Sequence, residues 1–136
     1  MGLNERRTTH DFQTNELPGL QAQVDEAAGF KVPIEVHWDN LTPEGEAHLY
    51  SESWKAVYFK PLIAALKSVA KDDMGREALK TGLHRVVIDN ASGNYYPDKW
   101  AKLEAGTLTL DHEPITNVGE VEPRTARLVS VIESSL

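Results

Sequence analysis

The chain has 136 residues, no cysteine and a net charge of −7. This length is typical of one domain that is large enough to form its own hydrophobic core. The absence of cysteine excludes a disulfide scaffold, a thiolate metal site and a cysteine nucleophile. Proteins that bind nucleic acids in general carry clustered Lys and Arg, so an acidic chain of this kind predicts no nucleic-acid partner.

Membrane insertion is not predicted either. No apolar run approaches the roughly 20 residues that a membrane-spanning helix requires. The first 15 residues are polar, and Arg6-Arg7 has no hydrophobic stretch behind it, unlike a secretory signal. We therefore expect a cytoplasmic protein.

In the N-terminal part of the chain, some segments show a clear periodicity of apolar residues and others show none. Residues 1–14 show no periodicity, which predicts a flexible arm followed by a single domain over residues 15–136. Apolar residues at helical spacing predict a helix from Glu16 to Ala28, and Gly29 is a typical helix end. From Pro33 to Asp39, apolar and polar residues alternate with the period of a half-buried strand.

The strongest helical pattern in the chain runs from Trp54 to Val69. Pro61 lies inside this pattern, and because proline has no N–H to donate, we expect a kink or break near Phe59. A shorter helix follows, capped by Asp72 or Asp73 and ended by Gly82.

The C-terminal half contains three predicted strands and a final helix. The strand His84–Asp89 has three consecutive β-branched apolar residues, which favours a central strand covered on both faces. Trp100–Glu104 and Thr107–Asp111 form a predicted hairpin, and a helix over residues 120–134 closes the chain. Strands that cluster late, with helices on both sides, predict an α+β fold: a mostly antiparallel sheet of about four strands packed with helices.

No familiar catalytic or cofactor motif is present: the sequence has no phosphate-binding glycine loop, G-x-S-x-G or H-E-x-x-H. The most suggestive polar group is Glu35, His37 and Asp39, which alternation places on one face of a strand. A histidine between carboxylates can act as a general base or a metal ligand, although a solvated strand face accounts for the same pattern. His112 would extend this group only if the fold brought it near His37.

Two further features indicate a binding surface rather than a reaction. Tyr95, Tyr96 and Trp100 place three aromatic rings in or beside a loop, where they either anchor a partner or pack into the core. Two stretches, residues 32–53 and 103–123, each contain five acids and no base, and the second includes Glu113 and Glu120. Acidic surfaces of this kind steer a basic partner.

Two functional hypotheses follow. The first is a non-catalytic protein-interaction domain of the inhibitor, immunity or adaptor type, whose partner is a protein with a basic surface. It assigns binding to Tyr95, Tyr96, Trp100, Glu113 and Glu120, and it requires no catalytic residue, cofactor or metal. The alternative is an enzyme or a small-ligand or metal-binding module that uses Glu35, His37, Asp39 and His112.

Overall fold

A four-stranded sheet organises the chain in a computed structural model that describes all residues, 1–136. Its strands are β1 (Ile34–Val36), β2 (Arg85–Asp89), β3 (Ala101–Glu104) and β4 (Thr107–Asp111). Their order across the sheet is β1-β2-β4-β3. The α+β composition agrees with the prediction. The predicted antiparallel character is wrong, because β1–β2 and β2–β4 are both parallel pairs.

The mixed topology arises from where the predicted hairpin is placed. Strands β3 and β4 pair in antiparallel fashion across a two-residue turn, in which Ala105 and Gly106 both have positive φ. This is the backbone shape of a type I′ hairpin turn. The chain leaves β2, runs past it to form β3 at the sheet edge, and then returns so that β4 lies between β2 and β3. That insertion makes β4, instead of the antiparallel β3, the hydrogen-bonded neighbour of β2, and the pair is therefore parallel.

The helices include one segment that the sequence did not predict. They are α1 (Leu3–Asn15), α2 (Leu17–Ala28), α3 (Tyr50–Trp54), α4 (Lys60–Val69), α5 (Asp73–Gly82) and α6 (Val121–Ser135). We expected residues 1–14 to form a flexible arm, but most of them form α1. Phe12 fixes this helix to the domain: its ring is buried and makes edge contacts with Trp38 and Trp54.

The predicted interruption near Phe59 takes the form of a π-helical turn. Residues Lys55–Phe59 join α3 to α4 without leaving the helical path, and the N–H of Lys60 donates to the carbonyl of Lys55, five residues earlier. Proline at position 61 cannot donate to the preceding turn, and the wider π turn accommodates that missing bond. All five residues of the π turn except Lys55 are buried.

The hydrophobic core lies between the helices and one face of the sheet. Val86 and Ile88 of β2 point into it, together with Leu108 and Leu110 of β4. Strand β2 is central, as predicted, but its second face is not covered as expected. That face carries the exposed side chains of Glu35, Arg85, Lys102 and Glu104 around Val87. No helix of the structure is both long enough and apolar enough to cross a membrane.

Helix α4 provides a direct test of the core. Leu66 is fully buried, in the same cluster as Val86 and Ile88. We expect Leu66→Ala to lower the free energy of unfolding by roughly 2–5 kcal/mol, because a cavity replaces the side chain. Its exposed neighbour Lys67 is the control, and Lys67→Ala should change stability by less than about 0.5 kcal/mol. Urea denaturation measures both, and a loss below about 1 kcal/mol for Leu66→Ala would contradict the packing.

Helix α1 provides a second test. Since Phe12 is its largest buried side chain, we expect Phe12→Ala to cost roughly 3–5 kcal/mol of unfolding free energy. Arg7→Ala, on the exposed side of the same helix, should be nearly neutral. If both variants were neutral in chemical denaturation, α1 would not be part of the cooperative domain.

Candidate functional site

A histidine lies between two carboxylates at the carboxyl-terminal edge of the parallel strands. His37 follows β1, and its Nδ1 is 2.9 Å from Oδ2 of Asp89, the last residue of β2. Its Nε2 is 2.6 Å from Oε2 of Glu35 in β1. The other carboxylate oxygen of Glu35 accepts from Arg85 at 3.2 Å. We call Glu35, His37 and Asp89 the histidine clamp, because they connect β1 to β2 through side chains.

The geometry of the clamp favours the charged form of His37. A neutral imidazole has one N–H and one lone pair, whereas imidazolium donates from both nitrogens. Both nitrogens of His37 face carboxylate oxygens, so only imidazolium satisfies both contacts. Accordingly, the hydrogen bond to Glu35 and the negative charge of Asp89 raise the pKa of His37, while His37 lowers the pKa of Glu35.

Asp89 also anchors the loops that follow β1 and β2. Its Oδ1 accepts from Asn40 Nδ2 at 2.9 Å and from the backbone N–H of Asn90 at 2.7 Å. Asp111, which ends β4, does the same one strand further along: its Oδ1 accepts from the N–H groups of Ala91 and Ser92. Two strand-terminal aspartates therefore hold the start of the loop that follows β2.

The structure corrects the trio predicted from the sequence. Strand β1 ends at Val36 and the chain turns into a 3₁₀ helix at Trp38–Asn40, so strand alternation does not extend to Asp39. Asp39 is exposed and makes no side-chain bond to His37, and Asp89 occupies the place expected for it. The pattern within one segment could not identify Asp89, because the contact spans two strands. The available signal was its position at the end of an apolar strand, where a side chain lies at the edge of the sheet.

His112 does not join His37. Its side chain is fully buried, with Nδ1 2.6 Å from the carbonyl oxygen of Glu113 and its ring edge-on to Trp100. Burial lowers the pKa of His112, so the neutral imidazole is favoured, with Nδ1–H donating to that carbonyl. No hydrogen bond or ion pair connects the side chains of the two histidines, although the backbone N–H of His112 donates to the carbonyl of Asp89 at 3.1 Å.

Buried polar side chains hold the loop between β4 and α6 from below. The hydroxyl of Tyr58 in the π turn donates to the carbonyl of His112. Arg124 is fully buried and donates to the carbonyls of Asn117 and Val118, at 2.7 and 2.8 Å. Burial lowers the pKa of Arg124 and raises that of Tyr58. These donors satisfy loop carbonyls in the way that a strand partner otherwise would.

The predicted binding residues separate into exposed and buried groups. Tyr95 and Tyr96 are 44% and 53% exposed, with ring centroids 4.5 Å apart. Trp100 is fully buried, and its indole N–H donates to the carbonyl of Arg124 at 3.1 Å. Trp100 is therefore a core residue and cannot anchor a partner at the surface.

Hydrogen bonds bring the remaining binding residues together. The N–H of Glu113 donates to the carbonyl of Asn94 at 2.7 Å, and Asn117 Nδ2 donates to the carbonyl of Tyr95 at 2.6 Å. The N–H of Glu120 donates to the carbonyl of Asn117 at 3.0 Å. We call Tyr95, Tyr96, Glu113 and Glu120 the tyrosine–acid surface.

A small polar cleft adjoins this surface. It has a volume of about 190 Å³, and Glu113 belongs both to it and to the tyrosine–acid surface. The other lining residues are Asp39, Asn40, Thr42, Pro43, Asn90 and Pro114. Two carboxylates and no basic side chain line the cleft, so its charge matches that of the surface beside it.

No group of three or more His, Asp or Glu side chains has an arrangement that could hold a metal ion. No protein-family model, curated protein or solved structure matches this chain.

The two histidines predict opposite effects of pH on stability. The raised pKa of His37 means that its contribution is fully present below the ordinary value of about 6.5 and is lost as pH rises through the folded-state pKa. The lowered pKa of His112 means that its contribution is present above about 6.5 and is lost as pH falls through that value.

Variants should separate the two effects. Urea denaturation across neutral pH should show that His37→Gln removes part of the stability loss on the alkaline side. The His112→Asn variant should remove part of the loss on the acid side, on top of a general cost of repacking a buried position. Met74→Ala, at an exposed position on α5 that does not titrate, is the control and should change neither slope. Equal slopes for the His37 and His112 variants would contradict the assignment.

Proposed function

We propose that this chain is a non-catalytic protein-interaction domain of the inhibitor, immunity or adaptor type, which binds a protein with a basic surface. The observation that carries the proposal is the tyrosine–acid surface, where two exposed tyrosines and two acids are held together by hydrogen bonds between two loops. Its partner would dock against the edge of the domain formed by residues 90–96 and 112–120.

The tyrosine pair has the properties of an interface anchor. Tyrosine offers a large apolar ring and a polar hydroxyl at a low cost in side-chain entropy, and it is enriched where binding energy is concentrated. The rings of Tyr95 and Tyr96 contact each other in a tilted arrangement at the surface instead of packing into the core beside Trp100. The loop that carries them is already fixed through Asn94 and Asn117, so little ordering remains to oppose binding.

The acids supply charge complementarity to a basic partner. Glu120 is exposed, Glu113 is half-buried, and the segment 103–123 to which they belong contains no base. Asp39 adds a second carboxylate across the neighbouring cleft. Lysine or arginine side chains of a partner would meet several carboxylates here, which increases the association rate and disfavours acidic competitors.

Comparative affinity capture tests the proposal. Immobilised wild-type chain and two surface variants, Tyr95→Ala/Tyr96→Ala and Glu113→Lys/Glu120→Lys, would be exposed to native lysate and the captured proteins quantified by mass spectrometry. Met74→Ala and Glu133→Lys are controls at exposed positions elsewhere. The proposal requires a basic protein that both controls retain and both surface variants lose. Proteins retained equally by all five chains would contradict it.

Once a partner is identified, the two halves of the surface should differ kinetically. Tyr96→Ala should speed dissociation, since an anchor side chain acts mainly on the bound state. Glu113→Lys or Glu120→Lys should slow association, with the difference shrinking as ionic strength rises and screens the charges. Surface plasmon resonance at several salt concentrations measures both rates, and salt-independent association for all variants would exclude steering by these acids.

A further inference from the structure

The two carboxylates of the histidine clamp differ in how strongly the fold fixes their positions. The side chain of Asp89 is 13% exposed, and Asn40 and the Asn90 N–H also donate to it. The side chain of Glu35 is 52% exposed, and its other partner is Arg85, itself half exposed. Asp89 is therefore fixed by the fold, whereas Glu35 can turn to solvent while keeping Arg85 as a partner.

This difference determines what happens when His37 loses a proton. One ring nitrogen then presents a lone pair, which repels any carboxylate oxygen placed against it. The contact that yields is the one whose carboxylate can move, namely Glu35 at Nε2. The proton that remains is the one on Nδ1, which Asp89 continues to accept at 2.9 Å.

We propose that His37 is a pH-gated proton-transfer site, closed by Glu35 when the imidazole is doubly protonated and open at Nε2 when it is neutral. In the open state Asp89 orients the ring through Nδ1–H, and Nε2 is a base directed to solvent at the sheet edge. This is the arrangement in which a carboxylate prepares a histidine to accept a proton. The inference rests on the histidine clamp alone: it does not depend on the tyrosine–acid surface, and it would add a proton-transfer reaction to a chain that is proposed above, from that surface, only to bind a partner.

The charged groups around His37 define what it can act on. Glu35 faces it from β1, Asp89 and, through Glu35, Arg85 face it from β2, and Asp39 lies in the turn that follows it. An open groove of about 430 Å³ is lined by Val36, His37, Trp38, Asp39 and Asn40. Three carboxylates against one guanidinium disfavour anions, so the matching ligand is a small cationic molecule with an ammonium proton.

The proton balance of the step is simple. Nε2 takes a proton from a bound ammonium group, which leaves a free amine, and His37 becomes imidazolium. Glu35 then accepts from the new Nε2–H and restores the closed state. The proton returns to solvent when the imidazolium deprotonates again, so no other reactant is consumed.

The first test is the tautomer of neutral His37. Nitrogen-15 NMR of the intact chain above the pKa of His37 should show a protonated Nδ1 and an unprotonated Nε2. Free histidine side chains generally favour the opposite tautomer, so the result distinguishes the clamp from an unconstrained residue. A protonated Nε2 in the neutral form would overturn the proposal.

The second test is the reactivity of Nε2. Diethyl pyrocarbonate acylates neutral imidazole nitrogens, and peptide mass spectrometry gives a rate for each histidine as a function of pH. We expect His37 in the wild-type chain to reach half of its maximal rate at a pH above the ordinary histidine value of about 6.5. Glu35→Gln should shift that midpoint toward the ordinary pKa of about 6.5, since it removes the closing carboxylate.

Two comparisons make this test decisive. Asp89→Asn should alter the tautomer of neutral His37, whereas Glu35→Gln should leave Nδ1 protonated and change only the midpoint. Urea denaturation of each variant confirms that it is folded before its rates are compared. A midpoint for His37 at or below about 6.5 in the wild-type chain, or an unchanged profile in folded Glu35→Gln, would overturn the proposal.

Discussion

The parallel pairing of β2 with β1 on one side and β4 on the other determines where the chemistry of this chain lies. Parallel strands end at the same edge of a sheet, so their terminal side chains and the loops that follow them become neighbours. His37 after β1, Asp89 at the end of β2 and Asp111 at the end of β4 meet there for this reason. Strand β4 reaches this position only because the hairpin returns it between β2 and β3. In a simple meander β3 would lie between β2 and β4, so Asp111 would end at the same edge but one strand farther from Asp89.

The loops at this edge are held from the core as well as from the sheet. Loop backbone that leaves a sheet has carbonyl groups without strand partners, and burying them unpaired is costly. Tyr58 and Arg124 supply the donors from within the helical layer. Tyr58 lies in the π turn that precedes Pro61. The helix irregularity thus contributes to the support of the loop that carries Glu113, and a surface that is fixed in this way can bind without a large ordering cost.

The features that depend on neighbours along the chain could be predicted from the sequence, whereas the features that depend on distant partners could not. The interruption before Pro61 and the hairpin turn at Ala105-Gly106 follow from local backbone chemistry, and both are present. Helix α1 was missed because most of its residues are polar and Phe12 alone contributes a large buried ring, so no stripe of apolar residues was visible. The parallel sheet was missed because adjacent strand segments favour antiparallel pairing unless a later strand inserts between them. The clamp partner of His37 was misassigned for the same reason, since Asp89 is 52 positions away.

Asp89 links the two surfaces and also keeps them separate. Its Oδ2 faces His37, and its Oδ1 accepts from Asn40 and from the N–H that begins the loop leading to Tyr95 and Tyr96. The contacts of Oδ1 do not depend on the proton of His37, and the oxygen that loses its partner on deprotonation belongs to Glu35. Gating at His37 should therefore proceed without displacing the tyrosine–acid surface. The partly buried carboxylate of Asp89 holds both the ring of His37 and the start of the loop that leads to the tyrosine–acid surface, whereas the exposed carboxylate of Glu35 is the one free to move, so a change at His37 need not reach that surface.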